Sequence, residues 1–309
     1  MMMMLMMLMR KLLSAMLVLF LLLAVCLSLL RAVPGGPFDN ERAAAPEVQA
    51  ALAARFGTDQ GYFEQLWRYA GAALQGDFGP SFQYTDFSVR ELIAQALPLT
   101  LTIGSLALML AWGLAVPLAL YACANPGSWT DRSLRVVSSG LLCTPKFVTA
   151  PILALIFAVW LGLLPSSGLG DPAWKFFLLP ALALALTQFG SAARVVRGSL
   201  IDAERSDALK AARARGLSEQ RLKWRHRLPI ALPSACAFLL PSAVAVLTGS
   251  AVVEQVFALP GLGRALLSSA LNRDYTLLLG VILTCGVIVL VLAWLVEALL
   301  LWLDPRRRS

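Results

Sequence analysis

Leu12 to Leu30 is a run of nineteen residues without a charge, flanked by Arg10-Lys11 and Arg31. A run of that length crosses the hydrocarbon of a bilayer as an α-helix, because a helix satisfies its backbone hydrogen bonds within itself. Five more apolar runs recur along the 309 residues, near Leu92–Ala124, Val136–Leu164, Trp174–Ala193, Leu232–Val253 and Thr276–Leu303. Only 14% of the residues are charged, against about a quarter in a water-soluble domain. The expected fold is an all-α integral membrane protein with six transmembrane helices. Pro98, Pro117, Pro145, Pro151, Pro180 and Pro241 fall within or at the ends of these runs. A membrane helix tolerates them because neighbouring helices and water can satisfy the freed carbonyls.

The first run is too long for a signal-peptide core and no small-x-small cleavage site follows it, so 1–30 is expected as an uncleaved first span. Residues 31–91 have ordinary composition and are expected as an extracytoplasmic segment, too short for a large core of its own. Short amphipathic helices are predicted there at Pro46–Phe56 and Asp59–Leu74, followed by a glycine-rich, aromatic loop at Gly76–Phe87. Residues 92–309 make up a five-helix core with a large loop at 194–231. If both termini are cytoplasmic, the inner segments hold 17 Lys and Arg against 6 Asp and Glu, and the outer segments 8 against 11. That asymmetry obeys the positive-inside rule, and the reverse orientation does not. The net charge of +8 therefore reports topology, and no nucleic acid partner is expected. The five cysteines all lie in apolar runs without metal spacing, and a single histidine argues against histidine catalysis.

The longest strongly charged run is Asp202–Pro233. Ser206 is a predicted N-cap with Asp207 in the first turn, where a carboxylate suits the helix dipole. The helix should run to Arg215 and stop at Gly216, the residue type that most easily turns left-handed. Ser218 is expected to cap a second helix ending near Leu228, before Pro229. Ala208, Ala211, Ala212 and Ala214 line the first helix with small side chains, so it can lie deep in a partner's groove, with Arg213 and Arg215 at the rim for carboxylates.

Lys210-Ala211-Ala212, three residues, Gly216, nine residues, then His226-Arg227-Leu228-Pro229 resembles the EAA loop of bacterial ABC-importer permeases, E-A-A-x3-G-x9-I-x-L-P. The run A-R-A-R-G-L, ending at Leu217 and followed by R-H, is similar to the dipeptide/oligopeptide branch, of the oligopeptide permease B-subunit type. Lys210 stands where the general motif has Glu, and His226 where it has Ile. The plainer alternative is a basic segment that only fixes topology.

Three further stretches carry the same resemblance. P-G-G-P-F, P-E-V and G-D-F-G-P-S-F follow the first run; G-S-A-V-V-E-Q-V-F-A-L-P-G-L-G precedes N-R-D-Y; and D-P-R lies at Asp304 to Arg306. In the second of these, Pro260-Gly261 reads as a turn and Arg264 to Asn272 as a short helix at the outer interface, with Gly263 beside the turn. Glu254 with Arg273 and Asp274 are candidates for ion pairs that close an external gate, or for stabilising the loop. Lys146 and Glu297 are charges at membrane depth. Lys146 can line the passage or reach for the inner edge beside a proline kink, and Glu297 can snorkel or pair near the inner interface.

No Walker A loop, H-E-x-x-H or G-x-S-x-G occurs. The resemblance implies a type I ABC importer permease for oligopeptides or dipeptides that is not itself an enzyme. It implies a second homologous permease subunit, two ABC ATPase subunits and an extracytoplasmic peptide-binding protein as partners in the bacterial cytoplasmic (inner) membrane. No cofactor is expected on this chain; ATP and Mg would belong to the ATPase. The alternatives are the same architecture carrying nickel or another small solute, and an ATPase-independent secondary transporter or channel. The latter should show inverted repeats or paired membrane carboxylates, and neither is visible.

Overall fold

The computed structural model describes residues 2–32, 61–84 and 86–303. The helix predicted at Pro46–Phe56, the P-G-G-P-F and P-E-V stretches and the Asp304–Arg306 tail lie outside them. The described residues are helical throughout apart from their connections, and fall into two compact units.

The first unit comprises residues 1–98 and 260–290. It holds α1 (Met2–Ala32), α2 (Tyr62–Leu74), the start of α3 (Val89–Ala122), α10 (Leu262–Leu271) and the first half of α11 (Tyr275–Leu303). Leu23 and Leu27 of α1, Leu66 of α2, and Leu279 and Leu283 of α11 bury one another. Outside that seam α1 shows Leu13, Leu17, Leu21 and Leu29, the apolar surface that lipid covers. The Tyr62 hydroxyl donates to the Ala24 carbonyl at 2.9 Å, and Arg31 Nη2 to Gln65 Oε1 at 2.7 Å, so α2 is stapled to the end of α1. A second cluster joins Val89, Ile93 and Ala96 to Leu262, Leu277 and Val281. A Cβ on Gly280 would come within 2.6 Å of Val89 Cγ1, so only glycine allows that approach.

The second unit comprises residues 99–259 and 291–309. It contains the rest of α3, then α4 (Trp129–Cys143), α5 (Lys146–Ala154, prolonged by a π-helical turn), α6 (Ala173–Glu204), α7 (Asp207–Ala214), α8 (Leu228–Cys236) and α9 (Leu239–Val256). Helix α6 is central and packs on α4, α5, α8 and α9. It does so through small residues, with Ala181, Ala183, Ala192 and Ala193 all inaccessible. Helix α3 repeats the device: Ala107, Ala111, Ala115 and Ala119 form one buried stripe at four-residue spacing. Lipid tails are as apolar as leucine, so burial alone does not drive membrane helices together; small side chains do, by letting backbones approach. Gly190 of α6 is the tightest case in this stretch, since its Cβ would sit 2.7 Å from the Ser138 carbonyl oxygen. Three polar side chains inside form a chain: Trp112 Nε1 donates to Ser242 Oγ at 3.2 Å, which donates to Gln188 Oε1 at 2.9 Å.

The predicted spans and loop need four corrections, the first being that Leu232–Val253 is not continuous: the chain breaks at Ala237-Phe238 between α8 and α9. Val136–Leu164 is not one straight helix: α4 and α5 meet at 101°, the chain turning at Thr144-Pro145. Thr144 is extended there (ψ 118°), as a residue before proline prefers, and Pro145 cannot donate to continue α4. Among the described residues, five helices are long and apolar enough to cross a membrane, or six with this bent pair as one. Trp174–Ala193 is longer than expected, because α6 runs on to Glu204 and takes Arg194 and Arg197 out of the predicted loop. Finally, the helix starting at Glu219 does not end before Pro229. Leu222–Arg227 widens into a π-helical turn and the chain continues directly into α8. The wider turn displaces the carbonyls that the Pro229 ring would strike in a regular α-helix.

Candidate coupling site

The helix predicted in the charged loop forms where its capping signals place it. Ser206 Oγ accepts the Leu209 amide at 3.4 Å, and its hydroxyl donates to the Ala203 carbonyl at 2.7 Å. Asp207 opens α7 and pairs with Lys210 Nζ at 2.9 Å, which holds the exposed carboxyl below its ordinary range. At the other end Gly216 takes φ +75°, the left-handed cap. Leu209 and Ala212 are buried against Leu217 and Leu222. This leaves Asp207, Ala208, Lys210, Ala211, Arg213, Ala214 and Arg215 exposed. The exposed side is thus alanine-paved and edged with charges, mostly cations. Ser218 precedes the next helix in extended conformation but its side chain makes no cap hydrogen bond, unlike the expectation.

The two arginines expected at the rim differ. Arg213, though half exposed, is paired within the chain with Glu204 and lies 3.9 Å from Glu219, and Glu204 pushes its guanidinium pKa up further. Arg215 is exposed and forms no ion pair among the described residues. Glu204 and Arg227, which pair with each other, were not singled out in the sequence. Nothing local signals such a pair, since it joins the end of one helix to the approach of another.

The other candidates are placed as follows. Glu254, on α9 in the second unit, is fully buried and accepts from Thr100 Oγ1 at 2.7 Å. Arg273 and Asp274 belong to the first unit. Arg273 is left-handed (φ +55°), and Asp274, buried, caps α11 by accepting the Leu277 amide at 3.1 Å. Asp274 also accepts from Ser81 Oγ and from the amides of Phe82 and Gln83 at 3.2 and 3.3 Å, so its carboxylate organises the loop after α2. Pro260 and Gly261 lead into α10, where Gly263 is buried. Lys146 opens α5, half-buried, and donates to the Ala245 carbonyl of α9 at 2.6 Å. Its side chain crosses Gly249, whose Cβ would lie 2.2 Å from the Lys146 nitrogen. Glu297 is exposed on α11.

Residues 115–309, which include α7 and the whole charged loop, match the family model described as "Binding-protein-dependent transport system inner membrane component". The chain belongs to this family. As one of its inner membrane components, it is a multi-pass protein. Among curated relatives it is 37% identical to the oligopeptide transport system permease protein OppB of Haemophilus influenzae, over 94% of this chain and 95% of that one. It is 30% identical to the dipeptide transport system permease protein DppB of Bacillus subtilis, over 90% of each. Among solved structures it is similar to a chain of the MetNI methionine ABC transporter in an inward-facing conformation, with a TM-score of 0.59 and 17% identity. That likeness covers 69% of this chain and 96% of the other, and establishes the permease fold.

Proposed function

We propose that this chain is one of two transmembrane subunits of an ATP-driven importer of oligopeptides or dipeptides, and that α7 is where a separate ATPase grips it. The observation that carries this reading is α7 itself: a capped rod, held from beneath by Leu209 and Ala212, presents small alanines outward beside Arg215. A second homologous permease, a pair of ATPase subunits and an extracytoplasmic peptide-binding protein complete the assembly. ATP and Mg are held by the ATPase, and no cofactor by this chain. ATP binding closes the ATPase pair, α7 moves with the groove that holds it, and the spans switch between inward- and outward-facing arrangements. The cargo assignment draws on the oligopeptide and dipeptide permeases at 30–37% identity.

Uptake of a labelled pool of short peptides into proteoliposomes tests it. Uptake should require ATP, the binding protein and the ATPase; uptake that persists without the ATPase would overturn the reading. Arg215→Glu isolates docking, because that side chain forms no ion pair among the described residues. Co-purification of the ATPase should weaken about tenfold, the effect of reversing one interfacial charge. An unchanged yield would remove α7 from the docking surface.

Gly216→Val tests the cap. Space around the missing Cβ is open, so the penalty lies in the backbone alone, about 1–2 kcal/mol for forcing a bulky residue left-handed. The end of α7 should fray, and peptide import should fall while the amount of inserted protein stays the same. Wild-type import by this variant would show that the cap geometry is dispensable.

A further inference from the structure

Glu204 is the last residue of α6, and its carboxylate meets guanidinium groups from two other places in the chain. Oε1 pairs with Arg213 of α7, and Oε2 with Arg227, the residue that leads into α8. The Arg227 side chain is only 4% exposed. Its Nη1 also donates to the Cys123 carbonyl at 3.4 Å, just past the end of α3, while its Nε is buried without an acceptor among the described residues. One carboxylate thereby joins the ends of α3, α6 and α8 to α7. A cavity of about 690 Å³ lies alongside, lined in part by Glu204, Arg213, Arg227, Lys223 and Asn125.

The apolar anchors of α7 lead elsewhere. Leu209 and Ala212 pack on Leu217 and Leu222, and Leu222 opens the turn that runs on into α8, so this cluster ties α7 toward α8 alone. Drawing α3, α6 and α8 together behind α7 calls for a further link, and Glu204 supplies it through Arg213 on one side and Arg227 on the other. The pair with Arg227 is shielded, that side chain being 4% exposed, whereas Arg213 is 48% exposed and forms the more screened arm of the link. Leaving Arg227 buried without its carboxylate would loosen the junction of α8 with α3 and α6.

We propose that Glu204 is a positioning residue, the latch through which displacement of α7 is transmitted to α3, α6 and α8. The proposal rests on the reading of α7 as the docking helix and adds how its motion enters the membrane. The test uses the complete complex in proteoliposomes and reads peptide imported per ATP hydrolysed. Three variants are compared: Glu204→Gln, Arg213→Gln, and the double variant Glu204→Leu with Arg227→Leu. The double variant removes both charges of the Glu204–Arg227 pair together, so that the buried guanidinium is not left without its partner.

Import per ATP should fall at least about fivefold in all three, with ATPase co-purification within about twofold of wild type. Unchanged import per ATP in the double variant or in Arg213→Gln would overturn the latch. So would a loss confined to protein abundance, with the assembled fraction coupling normally. Failure of the peptide-import reading looks different, because the wild-type complex itself would then move no peptide.

Discussion

Asp131→Ala should cost the second unit about 3 kcal/mol, the lower end of what breaking a buried ion pair costs. Asp131 is 1% exposed, and its two oxygens accept from Arg197 Nε at 2.6 Å and Nη2 at 3.0 Å. One oxygen also accepts the Gly127 amide at 3.1 Å, inside the turn that Ser128 caps. The pair therefore pins the start of α4 to α6, the central helix. Because Arg197 is itself 22% exposed, water relieves part of the stranded charge, which places the cost at that lower end. The thermal midpoint of the detergent-purified protein should drop by on the order of 10 °C. Combining Asp131→Ala with Arg197→Leu should recover more than half of the loss, since the cation that remains, Arg135 at 3.6 Å from Asp131, is half exposed to water. A single variant within about 2 °C of wild type would mean that the pair is a bystander.

Asp274→Ala should be comparably severe in the first unit, on the order of 3 kcal/mol. The substitution removes the N-cap acceptor of α11 and leaves Ser81 Oγ and the amides of Phe82 and Gln83 without their carboxylate. A lost cap is worth about 1 kcal/mol, and donors stranded from a charged acceptor account for the remainder. Asp274→Asn keeps one acceptor oxygen and should retain about half of the stability. Limited proteolysis of the 75–88 loop reads this directly: Asp274→Ala should be cut much faster than wild type, with Asn in between. Equal cutting of all three would show that the loop holds itself. This role differs from the gate suggested by reading Asp274 next to Arg273, because the carboxylate is occupied by a loop nearly two hundred residues earlier in the chain.

The features legible beforehand were those written in contiguous residues. Hydropathy located the spans, since the need for a self-bonded backbone in lipid is met or missed within one run. Ser206, Asp207 and Gly216 announced α7 because caps act over three or four residues. Resemblance to the EAA loop, carried by Ala211, Ala212, Gly216, Leu228 and Pro229, pointed to the permease family that the comparisons then established. The pattern Ser128-Trp-Thr-Asp131 was a readable capping signal that passed unnoticed. Less visible was the conduct of prolines. Pro145 breaks a span at 101° while Pro180 leaves α6 helical, and the ring chemistry is identical at both. The difference lies in what surrounds each: Pro180 is enclosed in the helix cluster of the second unit, whereas Pro145 follows an extended Thr144 and is exposed.

Composition and order alone determined that this chain lives in a membrane and carries a short capped helix in its largest basic loop. Those properties depend on neighbours in the chain, so they can be read there. Which charges meet was settled only by folding. Arg213 looked free to greet a partner and instead pairs with Glu204 while staying half exposed; Arg227 looked like part of a basic stretch and is buried on the same carboxylate. Ion pairing depends on distance in space and on exclusion of water, and both arise only once α3, α6 and α8 have packed.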